Sequence, residues 1–222
     1  MRSHLLLLGH RGVRGHKYRV RENTIEAFDL ALQHGCDGFE FDVRLTGDGY
    51  AVVCHNTKSR GANIAQAMAA RLTHLPGLNQ ILDRYADRAF LDIELKVGGL
   101  ESCLLAALAA HRPRREYVVS SFLPEVLHEL RSRDKSIPLG IICETRHELS
   151  QWSRLAVEYV IVKESLIKRE LVRTIHAAGR KLFAWTVNRK SSMLRLAAWR
   201  VDGIISDKTD VMVSTLAGSG AE

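Results

Sequence analysis

Strand-like runs alternate with helical patterns along almost the whole of this 222-residue chain. No Gly-, Pro- or Ser-rich linker interrupts the series, and titratable residues recur where the strand-like runs end. Such alternation implies a parallel sheet covered by helices, and eight strand-helix units in this length fit the short end of the (β/α)₈ barrel range. The predicted fold class is therefore α/β, a (β/α)₈ TIM barrel with a short hairpin and insertion after its second strand. One domain follows, residues 1–222, with the insertion at about 50–76. An open doubly wound sheet is the competing fold, but no G-x-G-x-x-G follows the first strand to support it.

Residues 5–8 are a continuous leucine run bounded by Gly9, which suits a strand buried on both faces. Glu22-Asn23-Thr24 opens a helix, with Asn23 or Thr24 as N-cap and Glu26 placed three residues beyond Asn23 as in a capping box. Ile25, Phe28, Ala31 and Leu32 share one helical face, and Gly35 ends the helix. In residues 37–43, Phe39, Phe41 and Val43 alternate with Glu40 and Asp42. A strand there puts the apolar side chains on one face and both carboxylates on the other. Gly47-Asp48-Gly49 then turns the chain back into an apolar run that ends in His55. The polar stretch 56–62 reads as loop, 63–72 as a short helix and 78–85 as another helix. Further strands are expected at 90–96, 117–120, 139–142, 159–163, 181–187 and 203–206. Their helices are expected at 100–111, 124–133, 146–155, 166–178, 191–199 and 209–216.

A hydrophobic fraction of 46% supports a substantial core. The net charge of +7 and a pI near 9.4 suit an anionic partner. Basic residues are scattered, with short clusters at 112–115 and 131–135 and no interleaved aromatics, so nucleic acid is not an expected partner. The four cysteines form no C-x-x-C pair, which argues against a zinc ribbon or a thioredoxin-like site. The 5–8 run is too short for a signal-peptide core, and no apolar run approaches the ~20 residues of a membrane span. A soluble, cytoplasmic protein without stable membrane insertion is the expectation.

Two carboxylates on one strand face repel unless one is protonated or a cation lies between them. Mg²⁺ and Ca²⁺ prefer oxygen ligands and would serve, although an E-x-D pair alone is more often a solvated face. Barrel enzymes hold their sites at the C-terminal ends of the strands. There the sequence places His10 and Arg11, Glu40 and Asp42, and His55 at the end of the hairpin. Asp92, Glu94 and Lys96 share a face of the third strand; Ser121 and Phe122 follow the fourth, Trp185 and Asn188 the seventh, and Asp207 the eighth. The opposite ends of the strands carry no comparable set. That asymmetry points to an enzyme.

Gly9-His10-Arg11-Gly12, Glu22-Asn23-Thr24, the 38–43 strand, Val52-Val53-Cys54-His55, the 92–96 strand, Trp185-Thr186-Val187-Asn188 and the 203–207 run together resemble the glycerophosphodiester phosphodiesterases. The resemblance spans almost the whole chain. It implies hydrolysis of a small-molecule phosphodiester to glycerol 3-phosphate and an alcohol, with one divalent cation, Mg²⁺ or Ca²⁺. It makes Glu40, Asp42 and Glu94 the metal ligands, His10 and His55 the acid-base pair, and Arg11 and Lys96 phosphate contacts. Phe122 and Trp185 either shape the alcohol pocket or pack the barrel. Fixed cations stabilise charge on the non-bridging oxygens, and histidine titrates in the range needed for proton transfer. Which histidine is the acid, and whether water or the glycerol 2-hydroxyl attacks first, stays open.

Three departures stand out. Asn56 replaces the Asp that usually follows the second histidine, Arg21 replaces a common proline, and the 56–76 stretch is short for a substrate-covering insertion. A short insertion implies an open pocket and loose choice of leaving group. Related readings are a sphingomyelinase D-like or lysophospholipase D-like phosphodiesterase and, in another class, a non-catalytic phosphoester-binding barrel. The intact acids and histidines argue against the last. Asp207 is expected either to cap the final helix, the favoured reading, or to touch the site, and Glu22 and Asn23 to start the first helix. Oligomeric state is open, a homo-oligomer included.

Overall fold

Period-two alternation decides which way each strand faces, and in the computed structural model it builds a closed barrel over the described residues, 5–111 and 113–217. Arg112 of the first basic cluster lies outside them. The strands are β1 (Leu6–Gly9), β2 (Gly38–Leu45), β3 (Ala51–Val53), β4 (Lys58–Ser59), β5 (Ala62–Asn63), β6 (Phe90–Leu95), β7 (Tyr117–Ser121), β8 (Leu139–Cys143), β9 (Tyr159–Lys163), β10 (Lys181–Trp185) and β11 (Gly203–Ser206). The helices are α1 (Ile25–Gln33), α2 (Leu78–Tyr85), α3 (Glu101–His111), α4 (Pro124–Arg133), α5 (Arg146–Gln151), α6 (Arg169–Ala177), α7 (Lys190–Ala198) and α8 (Thr209–Ala217). Strands β1, β2 and β6 to β11 are parallel, and β1 closes the ring by pairing with both β11 and β2. This is the expected (β/α)₈ barrel. Strand β3 runs antiparallel to β2 as the hairpin arm.

Outward-facing Phe39, Phe41, Leu91 and Ile93 are buried under the helices, where Phe28 stacks on Phe39 at 4.2 Å and Tyr85 meets Phe39 edge-on. The inward positions divide by depth. Phe90, Tyr159 and Phe183 plug the N-terminal end of the barrel with Leu8, Val118 and Ile205. Above the plug the same inward face carries carboxylates, with Glu40 beside Asp92 and Asp42 beside Glu94 across the β2–β6 pairing. The apolar floor keeps water from reaching the site from below.

The insertion differs from its expected form. Residues 56–62 are not all loop, since Lys58–Ser59 pairs with Ala62–Asn63 as a small hairpin. Residues 63–72 are not one helix but two 3₁₀ turns, Ile64–Gln66 and Ala69–Arg71. Tertiary bonds break the segment: Gly47 N–H donates to the Ala67 carbonyl, and the Asp48 carboxylate accepts from Ala69 N–H. The 146–155 pattern likewise splits into α5 and a 3₁₀ turn, and 166–178 starts as a helix only at Arg169. At α1 the cap is Thr24, which accepts from Ala27 N–H; a complete capping box is formed at α5, between Thr145 and Glu148.

Candidate active site

The tight turn after β1 sets the first part of the site. A Cβ at Gly9 would meet the Gly12 carbonyl oxygen at 1.9 Å, and Gly12 itself is left-handed at φ 82°. Arg11, between them, is also left-handed at φ 53°, and its backbone N–H donates to Glu40 Oε2 at 2.9 Å. His10 faces Glu40 with Nε2 3.9 Å from Oε2. The β2–β3 hairpin supplies the second imidazole: Cys54 N–H donates to the Asp42 carbonyl, and Arg44 Nε holds the His55 carbonyl at 2.8 Å.

These elements bring together nearly every residue singled out in the sequence. A cavity of about 300 Å³ is lined by His10, Arg11, Glu40, His55, Glu94, Lys96, Phe122 and Trp185. Asp42 lies wholly buried beneath its wall. Ligand oxygens of Glu40, Asp42 and Glu94 all fall within 4.8 Å of one another. Asp42 is 3.2 Å from Arg11 Nε and 3.4 Å from Lys96 Nζ, while Lys96 donates to Glu94 Oε1 at 2.6 Å. Phe122 and Trp185 meet edge-on at 5.6 Å, and the Lys96 ammonium lies 5.3 Å from the Phe122 ring centre. The Trp185 indole N–H is buried without a hydrogen-bond partner.

The electrostatics of the acids are opposed. Burial, then the charges of Asp42, Glu94 and Asp92, push Glu40 well above the carboxylate range. Burial and Asp42 push Glu94 up to about 8, against Lys96. Burial also works on Asp42, but Arg11, Lys96 and the Asn23 hydrogen bond outweigh it and hold the group low. Crowded carboxylates of this kind suit a hard cation, which an all-oxygen donor set favours. Buried Glu40 Oε1, with no hydrogen-bond partner, leaves a lone pair for it. The residues fit a divalent metal.

Several residues named in the sequence make site contacts that it did not assign. Asp207 accepts from His10 Nδ1 at 2.7 Å and from Asn188 Nδ2 at 2.7 Å, so it orients an imidazole, the second of its two expected readings rather than the favoured helix cap. Asn23 is not a cap either: it is left-handed at φ 59°, buried, and donates to Asp42 Oδ2 at 2.7 Å. Glu22 accepts from Arg11 at 2.8 Å and lies 2.6 Å from Arg14. Asn56 accepts from His55 Nδ1 at 2.9 Å, a neutral counterpart of the Asp207–His10 contact. The signal for Asn23 in the sequence was its place in the Glu22-Asn23-Thr24 motif, which by itself gave it no contact.

A barrel whose C-terminal rim holds three carboxylates, two imidazoles and two fixed cations belongs to the enzymes that act on charged ester centres. The comparisons narrow this class. The family model described as the glycerophosphoryl diester phosphodiesterase family matches residues 10–75 and 79–211. A glycerophosphodiester phosphodiesterase of Caldanaerobacter subterraneus subsp. tengcongensis is 29% identical, covering 97% of this chain and 99% of its own. Among solved structures, a phosphodiesterase of Oleispira antarctica in complex with the product sn-glycerol-3-phosphate superposes with a TM-score of 0.83 at 25% identity, covering 96% of each chain. A solved structure from Silicibacter pomeroyi gives a TM-score of 0.87 at 23% identity, covering 98% of this chain and 95% of its own, which speaks to the fold. The chain belongs to the glycerophosphoryl diester phosphodiesterase family and is a phosphoric diester hydrolase. No helix among the described residues is long and apolar enough to cross a membrane.

Proposed function

We propose that this chain, as one domain, hydrolyses glycerophosphodiesters such as glycerophosphocholine or glycerophosphoethanolamine to glycerol 3-phosphate and the free alcohol. One Mg²⁺ or Ca²⁺ would be held by Glu40, Asp42 and Glu94. The observation that carries the reading is the convergence of these carboxylates within 4.8 Å, next to a cavity lined by both His10 and His55. The bound cation would supply charge stabilisation to the phosphoryl oxygens.

The chain's own residues support the rest. Arg11 and Lys96 present fixed positive charge to the phosphate, and each is anchored by carboxylates (Asp42 and Glu22, Asp42 and Glu94), so neither must be ordered at the moment of reaction. His10 gives its Nδ1 hydrogen to Asp207 and His55 gives its own to Asn56, which leaves Nε2 of each ring free for proton transfer. One removes a proton from the attacking hydroxyl and the other returns one to the departing alkoxide. The unpaired indole N–H of Trp185 and the Phe122 ring offer a donor and an apolar wall to the glycerol half. Four free thiols, two of them buried, suit a reducing compartment such as the cytoplasm.

Turnover of glycerophosphocholine and glycerophosphoethanolamine, followed by phosphorus NMR with Mg²⁺, with Ca²⁺ and with a chelator, tests the reading. The expected result is metal-dependent release of glycerol 3-phosphate and a loss of at least about 10²-fold in kcat for His55→Ala. Metal-independent turnover, or a His55→Ala enzyme as fast as wild type, would contradict it.

A further inference from the structure

Beside the catalytic cavity lies a second groove of about 310 Å³, and His55 forms part of both walls. The groove is built from the residues just ahead of α1 and from the short insertion: Arg21 on one side, Lys58, Arg60 and His74 on the other. Its single acidic lining residue, Glu22, is already held by Arg11 and Arg14. Arg21, Lys58 and Arg60 are exposed and, among the described residues, enter no ion pair. Many cations elsewhere are matched, as Arg84 and Arg88 are by Asp29, Arg131 by Glu158 and Lys163 by Glu144. Exposed cations without an ion pair occur elsewhere among the described residues, Arg71, Lys168 and Arg173 among them, but Arg21, Lys58 and Arg60 line one groove together with His55. Burial together with the guanidiniums of Arg60 and Arg21 holds His74 below its ordinary pKa, in line with a positive local field.

We propose that this groove binds a second phosphate carried by the leaving alcohol, so that the enzyme prefers glycerophosphodiesters whose alcohol half is itself phosphorylated. The inference rests on the proposed activity. With the scissile phosphorus between His10 and His55, the departing alcohol extends past His55 into the groove, where Arg21, Lys58 and Arg60 meet its substituent. The substituent meets exposed cations in this groove, so charge makes the choice. Guanidinium groups favour phosphate through paired, charge-assisted hydrogen bonds.

A matched pair of substrates isolates the effect: glycerophosphoinositol and glycerophosphoinositol 4-phosphate differ by that one phosphate, and glycerophosphocholine serves as a reference. At low ionic strength kcat/KM is expected to be about tenfold higher for the phosphorylated member. The ratio should fall toward one in an Arg21→Ala/Arg60→Ala variant of unchanged circular dichroism, and in wild type at about 0.5 M salt. Equal kcat/KM for the pair in wild type, with glycerophosphocholine still turned over, overturns the groove assignment alone. A preference that survives the double substitution overturns it too. Failure to turn over any of the three diesters overturns the activity reading and this inference together.

Discussion

At the scale of single residues, the contrast between the two histidines is the sharpest feature. His10 has a carboxylate partner in Asp207, whereas His55 has the neutral amide of Asn56. Burial, with Arg11 and Lys96, holds the His55 pKa below its ordinary value, although Asn56 and Asp42 act the other way. A carboxylate at position 56 favours the imidazolium and raises that pKa. Asn56→Asp is therefore expected to move the limb of the pH–rate profile that His55 sets to higher pH by about one unit; an unmoved profile would show that His55 does not govern it. Period two put Glu40 with Asp42, and Glu94 with Asp92 and Lys96, on shared strand faces in the sequence, and the family resemblance singled out Glu40, Asp42 and Glu94 as the metal ligands. Asp207 was placed at the rim, but its contact with His10 was not legible, because the two are 197 residues apart and meet only when the barrel closes. Asn188 stood at the rim in the sequence, but its bond to Asp207 forms only across neighbouring strands. Asn23 read as a cap because its neighbour Thr24 performs that role.

At the scale of elements, the site rests on strand β2, whose two faces do different work. The inner face carries Glu40 and Asp42, and the outer face locks the strand to α1 and α2 through Phe28, Phe39, Phe41 and Tyr85. Phe39 is wholly buried, so Phe39→Ala is expected to cost about 3–5 kcal/mol in urea unfolding, with activity lost in step with the folded fraction. A cost under about 1 kcal/mol would mean that α1 and α2 do not hold β2 in place. The barrel strands were legible because each is a short apolar run with a helical pattern after it. The insertion was not: its 3₁₀ turns and two-residue strands are held by bonds to the Gly47-Asp48 turn, which no local pattern encodes.

At the scale of the molecule, closure depends on the seam between the first and last units. Beyond the β1–β11 pairing, the 3₁₀ turn His16–Tyr18 is tied to α8 by Asp210, which accepts from Lys17 Nζ at 2.8 Å and from Tyr18 Oη at 2.5 Å. Burial raises the Asp210 pKa, but these two bonds outweigh it and bring the group to about 2. The folded value lies below the unfolded value of ~3.9, so the stabilisation is present above about pH 4 and is lost as pH falls toward 2. Because the pair is partly solvated, its size stays under about 1 kcal/mol. The stability gap between wild type and Asp210→Asn in urea should therefore close between about pH 4 and pH 2; a gap independent of pH would contradict the latch. The central claim is the convergence of Glu40, Asp42 and Glu94 on one cation, and calorimetric titration of Mg²⁺ or Ca²⁺ into chelator-stripped protein tests it most directly. One site per chain is expected, abolished in Glu40→Gln; an absence of binding, or binding that Glu40→Gln leaves intact, would contradict the convergence.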